Sequence, residues 1–360
     1  MAPRRSGGSS SSYFAGSSSV WATETSFSLD EYTSKSLFIA GFAFDILFAL
    51  AIIGFLIWSC LIRGHNGQTK GVVVALVAWL CAQITTIVYE IFFLAEAVIT
   101  QYYNIDLMLQ VFFSDLAILM VVFVFYNLTH RLLNRLTDSG KPYAAVAIVH
   151  WIILGILTAV SLAAWAMYVV VRVRYVQGPY TGLEMFSLDL NKVDGARAIL
   201  FFVVSLEIFA WVLFAAIKAG SHRFTSRIPI YALLGGSICW FALTLTNAVV
   251  YIRYYIEFVF VVPDYLQTAL AILQFLFGVG TLVGILLCCQ KWRHIDDSIG
   301  KPQAATVHYT YGNGQYQYPY QQQFQPYPGQ PQPQYPQQYQ QHGQPVPVQP
   351  YQQQPSPLQK

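Results

Sequence analysis

The chain has 360 residues, 55% of them hydrophobic and only 10% charged. A water-soluble domain carries about 25% charged residues, so a soluble globular protein is excluded for most of this chain. The formal net charge of +3 is too small to be the footprint of a nucleic-acid binder.

Residues 1–36 are rich in Ser and Gly, with no apolar core after Arg4 and Arg5 that would make a cleavable signal peptide. They read as a disordered N-terminal tail, and the first span then serves as the targeting signal. A bilayer core of about 30 Å needs about 20 apolar residues in a helix. Seven stretches qualify: Leu37–Ile62, Val72–Ile99, Leu107–Tyr126, Ala144–Val171, Ala198–Ala219, Ile230–Tyr255 and Leu266–Cys289. Continuous apolar runs without alternation exclude strands. The expected fold is therefore an all-α seven-transmembrane helix bundle over residues 37–299. After Asp296-Asp297 the composition changes to Gln, Pro and Tyr, so residues 300–360 read as a second disordered tail.

Orientation follows from Lys and Arg. The segments after odd-numbered spans carry Arg63, Lys70, Arg131, Arg135, Lys141, Lys218, Arg223 and Arg227, and Lys291 and Arg293 follow the last span. The segment Arg172–Gly195, expected as a long loop, is an exception, with its cations offset by Glu184, Asp189 and Asp194. The balance places the N-terminus outside and the C-terminus in the cytosol, with the plasma membrane as the expected location. The sequon Asn127-Leu128-Thr129 then falls on the cytosolic side, where it would not be glycosylated.

Ionisable side chains inside such spans are costly, and they point to function by default. Counted from the outer end of their spans, Asp45, Asp115, Glu207 and Gln274 all lie roughly 12–14 Å deep at 1.5 Å per residue. The second span adds Gln83 and Glu90, which share a helix face with Thr86, and the sixth adds Asn247. This layer contains four acids. No Lys or Arg lies in a span centre, and His150 is expected to be too far away to help. Four carboxyls in a low dielectric cannot all ionise, so protons or cations must accompany them. The expected site is an acidic cavity in the outer half of the bundle, for protons, metal cations or an amine-bearing ligand. The competing reading is hydrogen-bonded glue between helices.

A near-constant offset relates Asp45 to Glu207, Tyr89 to Tyr251 and Gln110 to Gln274. It suggests a three-one-three pseudo-repeat, a plan that transporters use. Gly280 and Gly284 form GxxxG, which permits close packing within the bundle or between protomers of a homo-oligomer. Cys288 and Cys289, beside Lys291, are either S-palmitoylation candidates or buried thiols. Cys81 and Cys239 are expected to be packed in the interior. No metal spacing, cofactor motif or catalytic constellation is visible, so a non-enzymatic role is expected. PxxP spacings in the tail, such as Pro328–Pro331, could engage a cytosolic SH3-like or signalling partner, or arise by chance in a Pro-rich tract.

Some hallmarks of known seven-span receptors are missing. The third span ends Tyr126-Asn127-Leu128-Thr129-His130-Arg131-Leu132 and no Asn-Pro-x-x-Tyr closes the seventh. No Lys lies within the seventh span to hold retinal. In architecture and in its Gln/Pro/Tyr tail, the chain resembles the seven-span integral membrane proteins of filamentous fungi, some of them grouped as receptor-like and others with lipid-translocating exporters. The resemblance implies a receptor-like or lipid-exporting role and assigns none to any single residue. Three functions stay open on the sequence: a receptor or sensor, a proton- or cation-coupled or lipid transporter, and a non-enzymatic organiser of membrane domains.

Overall fold

The computed structural model describes residues 20–27, 34–62, 68–136, 144–177, 183–221, 227–256, 263 and 265–292. Seven helices run through it: α1 (Lys35–Leu61), α2 (Gln68–Leu94), α3 (Tyr103–Arg135), α4 (Ala144–Gln177), α5 (Leu183–Ser221), α6 (Ile228–Val250) and α7 (Tyr265–Lys291). All seven are long and apolar enough to cross a bilayer, so the chain is a multi-pass integral membrane protein. Within a bilayer a helix satisfies its own backbone, and these uninterrupted apolar runs can do nothing cheaper. Pro229 sits in the first turn of α6, where its missing N–H costs nothing. Many apolar side chains are exposed, among them Leu50, Ile57, Ile152, Ile156 and Ile217; they form the lipid-facing surface.

The helices pack in sequence, α1 on α2, α2 on α3, α3 on α4, α4 on α5, α5 on α6 and α6 on α7, with α7 returning to α1 and α3 touching α5. The ring is thus closed, with α4 at its edge against only α3 and α5 among the main helix contacts. Thr268 Oγ1 donates to the Leu37 carbonyl at 2.8 Å and fastens the α7–α1 seam. Trp165 Nε1 donates to the Met108 carbonyl at 3.0 Å and pins α4 to α3.

Part of the expected N-terminal tail is built into the fold. Strand β1 (Glu24–Ser26) pairs antiparallel with β2 (Val98–Thr100), which links α2 to α3, in the register Glu24 to Thr100. Gln101 Nε2 bonds Thr25 Oγ1 across the ribbon at 2.5 Å. Phe27 follows β1 and is 3% exposed, enclosed by Tyr89, Phe92, Phe93 and Tyr103. Aromatic burial of this size outweighs the Ser- and Gly-rich composition that argued for disorder. Residues 1–19, 28–33 and 293–360, which carry the rest of the N-terminal reading and the tail motifs, lie outside the described residues.

A second correction concerns the segment Arg172–Gly195. α4 continues to Gln177 and α5 already begins at Leu183. At 1.5 Å per residue α5 is about 58 Å long, nearly twice a bilayer core. Its charged first turns precede the apolar run, so hydropathy alone starts the span too late.

The two halves of the bundle differ. The end that bears the ribbon is called the ribbon end. Toward the opposite, far end, Phe125, Leu128, Leu132, Leu133, Ile230, Leu233 and Leu286 pack into a sealed core. Gly284 takes part: a Cβ there would lie 2.5 Å from Gly236 Cα and 2.6 Å from the Ala232 carbonyl on α6. A Cβ on Gly280 would meet Cys239 Sγ at 2.5 Å. The GxxxG face is therefore spent on the α6–α7 contact inside the bundle. Cys288 and Cys289 are 1% and 0% exposed within the same core, so neither thiol is reachable for acylation.

Candidate functional site

The ribbon half holds two adjoining cavities, of about 560 and 310 Å³. Trp79, Ser114, Asp115, Arg197, Tyr251 and Gln274 line both. The larger adds Asp45, Gln83, Thr86, Glu90 and Gln110. The smaller adds Asn247 and Thr244 and reaches Trp240. Of the side chains singled out in the sequence, Asp45, Gln83, Glu90, Asp115, Asn247 and Gln274 meet here, from α1, α2, α3, α6 and α7. Glu207 does not.

Each wall is organised by its own contacts. Gln83 Nε2 donates to Asp45 Oδ1 at 2.6 Å, across the α1–α2 interface. Glu90 lies two turns further along α2, and its carboxyl interacts with that of Asp45. Glu90 is 5% exposed, yet its Oε2 has no hydrogen-bond partner among the described residues. Two carboxyls in contact in a low dielectric need a proton or a cation between them. Gln110 Nε2 donates to Thr86 Oγ1 at 2.7 Å and ties α3 to the same face of α2. Tyr251 begins a π-helical turn, Tyr251–Ile256, that continues α6; such widened turns recur where a helix serves a site.

The expectation that no cation serves this layer fails at Arg197. Its Nη1 lies 2.6 and 2.5 Å from the two oxygens of Asp115, and its Nη2 lies 3.0 Å from Asp194 Oδ1. Arg197 is one residue before the apolar run beginning at Ala198, so the span boundary drawn from hydropathy excluded it. This one guanidinium pairs with Asp115 and Asp194, while Asp45 and Glu90 line the same cavity with no cation against them among the described residues. The region remains acidic.

Glu207 belongs to a different cluster, and both expectations about its surroundings are corrected. Counted from the true start of α5, it lies about 15 Å further along the helix than Arg197. His150, expected to be remote, has Nε2 2.7 Å from Glu207 Oε1. Tyr126 OH donates to Glu207 Oε2 at 2.7 Å. His150 Nδ1 lies 2.7 Å from His130 Nε2. The rings of Tyr126 and His150 stack at 4.1 Å, and those of His150 and His130 at 4.7 Å. A third cavity, of about 220 Å³, opens between α3 and α4, lined by Phe123, Asn127, His130, His150 and Trp151. The sequence signal for this cluster was the spacing Tyr126 and His130, one turn apart on α3, but nothing in it located His150 opposite.

No family of known proteins matches the chain, and neither does any curated protein or solved structure. What fold and geometry define is a seven-helix integral membrane protein with an acidic, six-helix-lined cavity in one half and a histidine–carboxylate cluster around the buried His150 in the other.

Proposed function

We propose that the protein is a receptor-like membrane sensor whose ribbon-end cavity binds a small cationic or amine-bearing ligand. The observation that carries this is the convergence of Asp45, Glu90 and Asp115 from three helices on one cavity, with Arg197 as the single guanidinium among them. The orphaned Glu90 Oε2 offers a free acceptor that an ammonium group would satisfy. The sealed far core fits a binding pocket served from the ribbon end. In this proposal the ribbon end faces outward, the C-terminus lies in the cytosol, the membrane is the plasma membrane, and residues 300–360 act as the interaction arm. Of the roles implied by the resemblance to fungal seven-span proteins, this is the receptor-like one, and no chemical reaction is part of it.

The test is thermal unfolding of the full chain in lipid nanodiscs with increasing spermidine, choline or Na⁺. Saturable stabilisation by one of these, lost in Glu90→Gln, supports the proposal. No stabilisation by any of the three sinks it.

A proton- or cation-coupled transporter is the second reading. It is favoured by a second acid, Glu207, set deeper in the bundle and contacted by His150. It predicts cation-driven flux in proteoliposomes that Asp115→Asn and Glu207→Gln abolish. The organiser reading loses two of its three supports, because Gly280 and Gly284 pack inside the bundle and Cys288 and Cys289 are buried, while the third, residues 300–360, lies outside the described residues.

A further inference from the structure

The cluster around Glu207 has no role in the ribbon-end cavity, yet it is the most continuous run of titratable groups in the bundle. We propose that Glu207, His150 and His130 form a proton-transfer chain that carries a proton between the α3–α4 cavity and the partly exposed carboxylate of Glu207. The inference stands whatever the ribbon-end cavity binds.

Three observations carry it. First, the three groups are in close succession: His150 Nε2 lies 2.7 Å from Glu207 Oε1, a short approach whose N–H direction does not make a hydrogen bond in this structure, and His150 Nδ1 is hydrogen-bonded to His130 Nε2 at 2.7 Å. Second, the middle member is sealed. His150 is 1% exposed although it borders the same cavity, with Nδ1 hydrogen-bonded to His130 and Nε2 2.7 Å from Glu207. Third, the outer member is not sealed. His130 is half-buried and lines the cavity of about 220 Å³, room for several waters at about 30 Å³ each.

The proton balance closes without any other reactant. In one state Glu207 is a carboxylate, His150 carries its proton on Nε2 beside it, and His130 donates Nε2–H to His150 Nδ1. A proton arriving from water at His130 Nδ1 displaces the Nε2 proton to His150 Nδ1. The His150 Nε2 proton in turn moves to Glu207. Both imidazoles end neutral with their tautomers exchanged, and one proton has been added to Glu207. An imidazole can do this because its two nitrogens exchange donor and acceptor roles.

The neighbouring groups leave the chain intact. Tyr126 OH holds the second oxygen of Glu207 and is a positioning residue. On α3, Arg131 is turned to Asn127 Oδ1 at 3.2 Å. On α5, Lys218 lies over the Phe214 ring at 5.2 Å.

The test follows the protonated-carboxyl infrared band of the full chain in nanodiscs after a rapid drop in pH, with the Glu207 band identified by its loss in Glu207→Gln. His130→Ala should slow the rise of this band by at least about a hundredfold, the lower end of what a positioned acid–base group contributes. Imidazole in the buffer, entering the space the ring vacates, should restore the rate. An unchanged rate, a slow rate that imidazole leaves slow, or the absence of any Glu207-dependent band overturns the proposal. A second measurement needs no variant: nitrogen magnetic resonance of wild-type protein with isotope-labelled histidine. Joint titration of the His130 and His150 ring nitrogens supports the chain, and independent titration overturns it.

Discussion

Arg197 on α5 places one guanidinium nitrogen, Nη1, within 2.6 Å of both carboxylate oxygens of Asp115 on α3. The pair joins two helices that are not sequence neighbours, and both side chains are largely buried, at 13% and 9% exposure. Removing one partner strands the other charge. Arg197→Gln or Asp115→Asn alone should therefore cost about 3–5 kcal/mol of stability, as broken buried pairs do. The double variant should recover much of that loss, because neither charge is then left alone. Thermal unfolding in nanodiscs reads this directly. Singles and double falling together would show that the pair contributes through packing and not through charge.

The spans were legible because a continuous apolar run admits few other structures. Depth counting brought Asp45, Gln83, Glu90, Asp115, Asn247 and Gln274 to nearby positions because α1, α3 and α7 begin within about a turn of their apolar runs. α5 breaks that condition. It starts at Leu183 with a polar, charged first stretch, so a count from Ala198 put Glu207 in the wrong layer. The same boundary hid Arg197. Phe27 was missed for a different reason: one aromatic in a Ser- and Gly-rich segment carries no periodicity, and its pocket exists only once α2 and α3 are paired. The contact between His150 and Glu207 depends on the rotation of α4 against α5, which no single-helix pattern encodes.

Glu90→Gln separates stability from binding. The wild-type carboxyl interacts with the Asp45 carboxyl and leaves Oε2 unpartnered. A carboxamide keeps the shape and brings an N–H₂ that can donate to Asp45, worth about 1 kcal/mol as a net hydrogen bond. The unliganded variant should melt at a higher temperature than wild type and lose the stabilisation by cations. Binding sites commonly trade stability in this way. A variant that melts lower, or that keeps its cation response, contradicts the assignment of Glu90.

Gly284→Ala tests the α6–α7 seam. The added Cβ would sit 2.5 Å from Gly236 Cα and 2.6 Å from the Ala232 carbonyl, all backbone that cannot swing aside. The helices must move apart across a packed core, which typically costs about 1–3 kcal/mol. Gly54→Ala on α1 is the matched control, since nothing lies within 4 Å of a Cβ there. Equal melting temperatures for the two variants would mean that the seam is looser than its geometry.

Phe27 should hold the ribbon and leave the bundle nearly independent of it. Its ring is 3% exposed and meets Phe93 and Tyr103 edge-on at 4.9 Å, while the segment before it contributes a short antiparallel pair, the Gln101–Thr25 bond and a Trp21–Tyr102 ring stack at 6.2 Å. Truncating a buried Phe costs about 3–5 kcal/mol where the site cannot collapse. That exceeds what a three-residue ribbon holds on its own, because an isolated two-stranded pair is marginal in water. Phe27→Ala should therefore release the ribbon as a local unit and not unfold the helices. Amide hydrogen exchange would show it: faster exchange at residues 24–26 and 98–100, with the cores of α3 and α7 unchanged. Protection lost equally through α2 and α3 would instead make Phe27 part of the global core, and ribbon amides that stay slow would place the strength of the ribbon in its own backbone pairing and the Gln101–Thr25 bond.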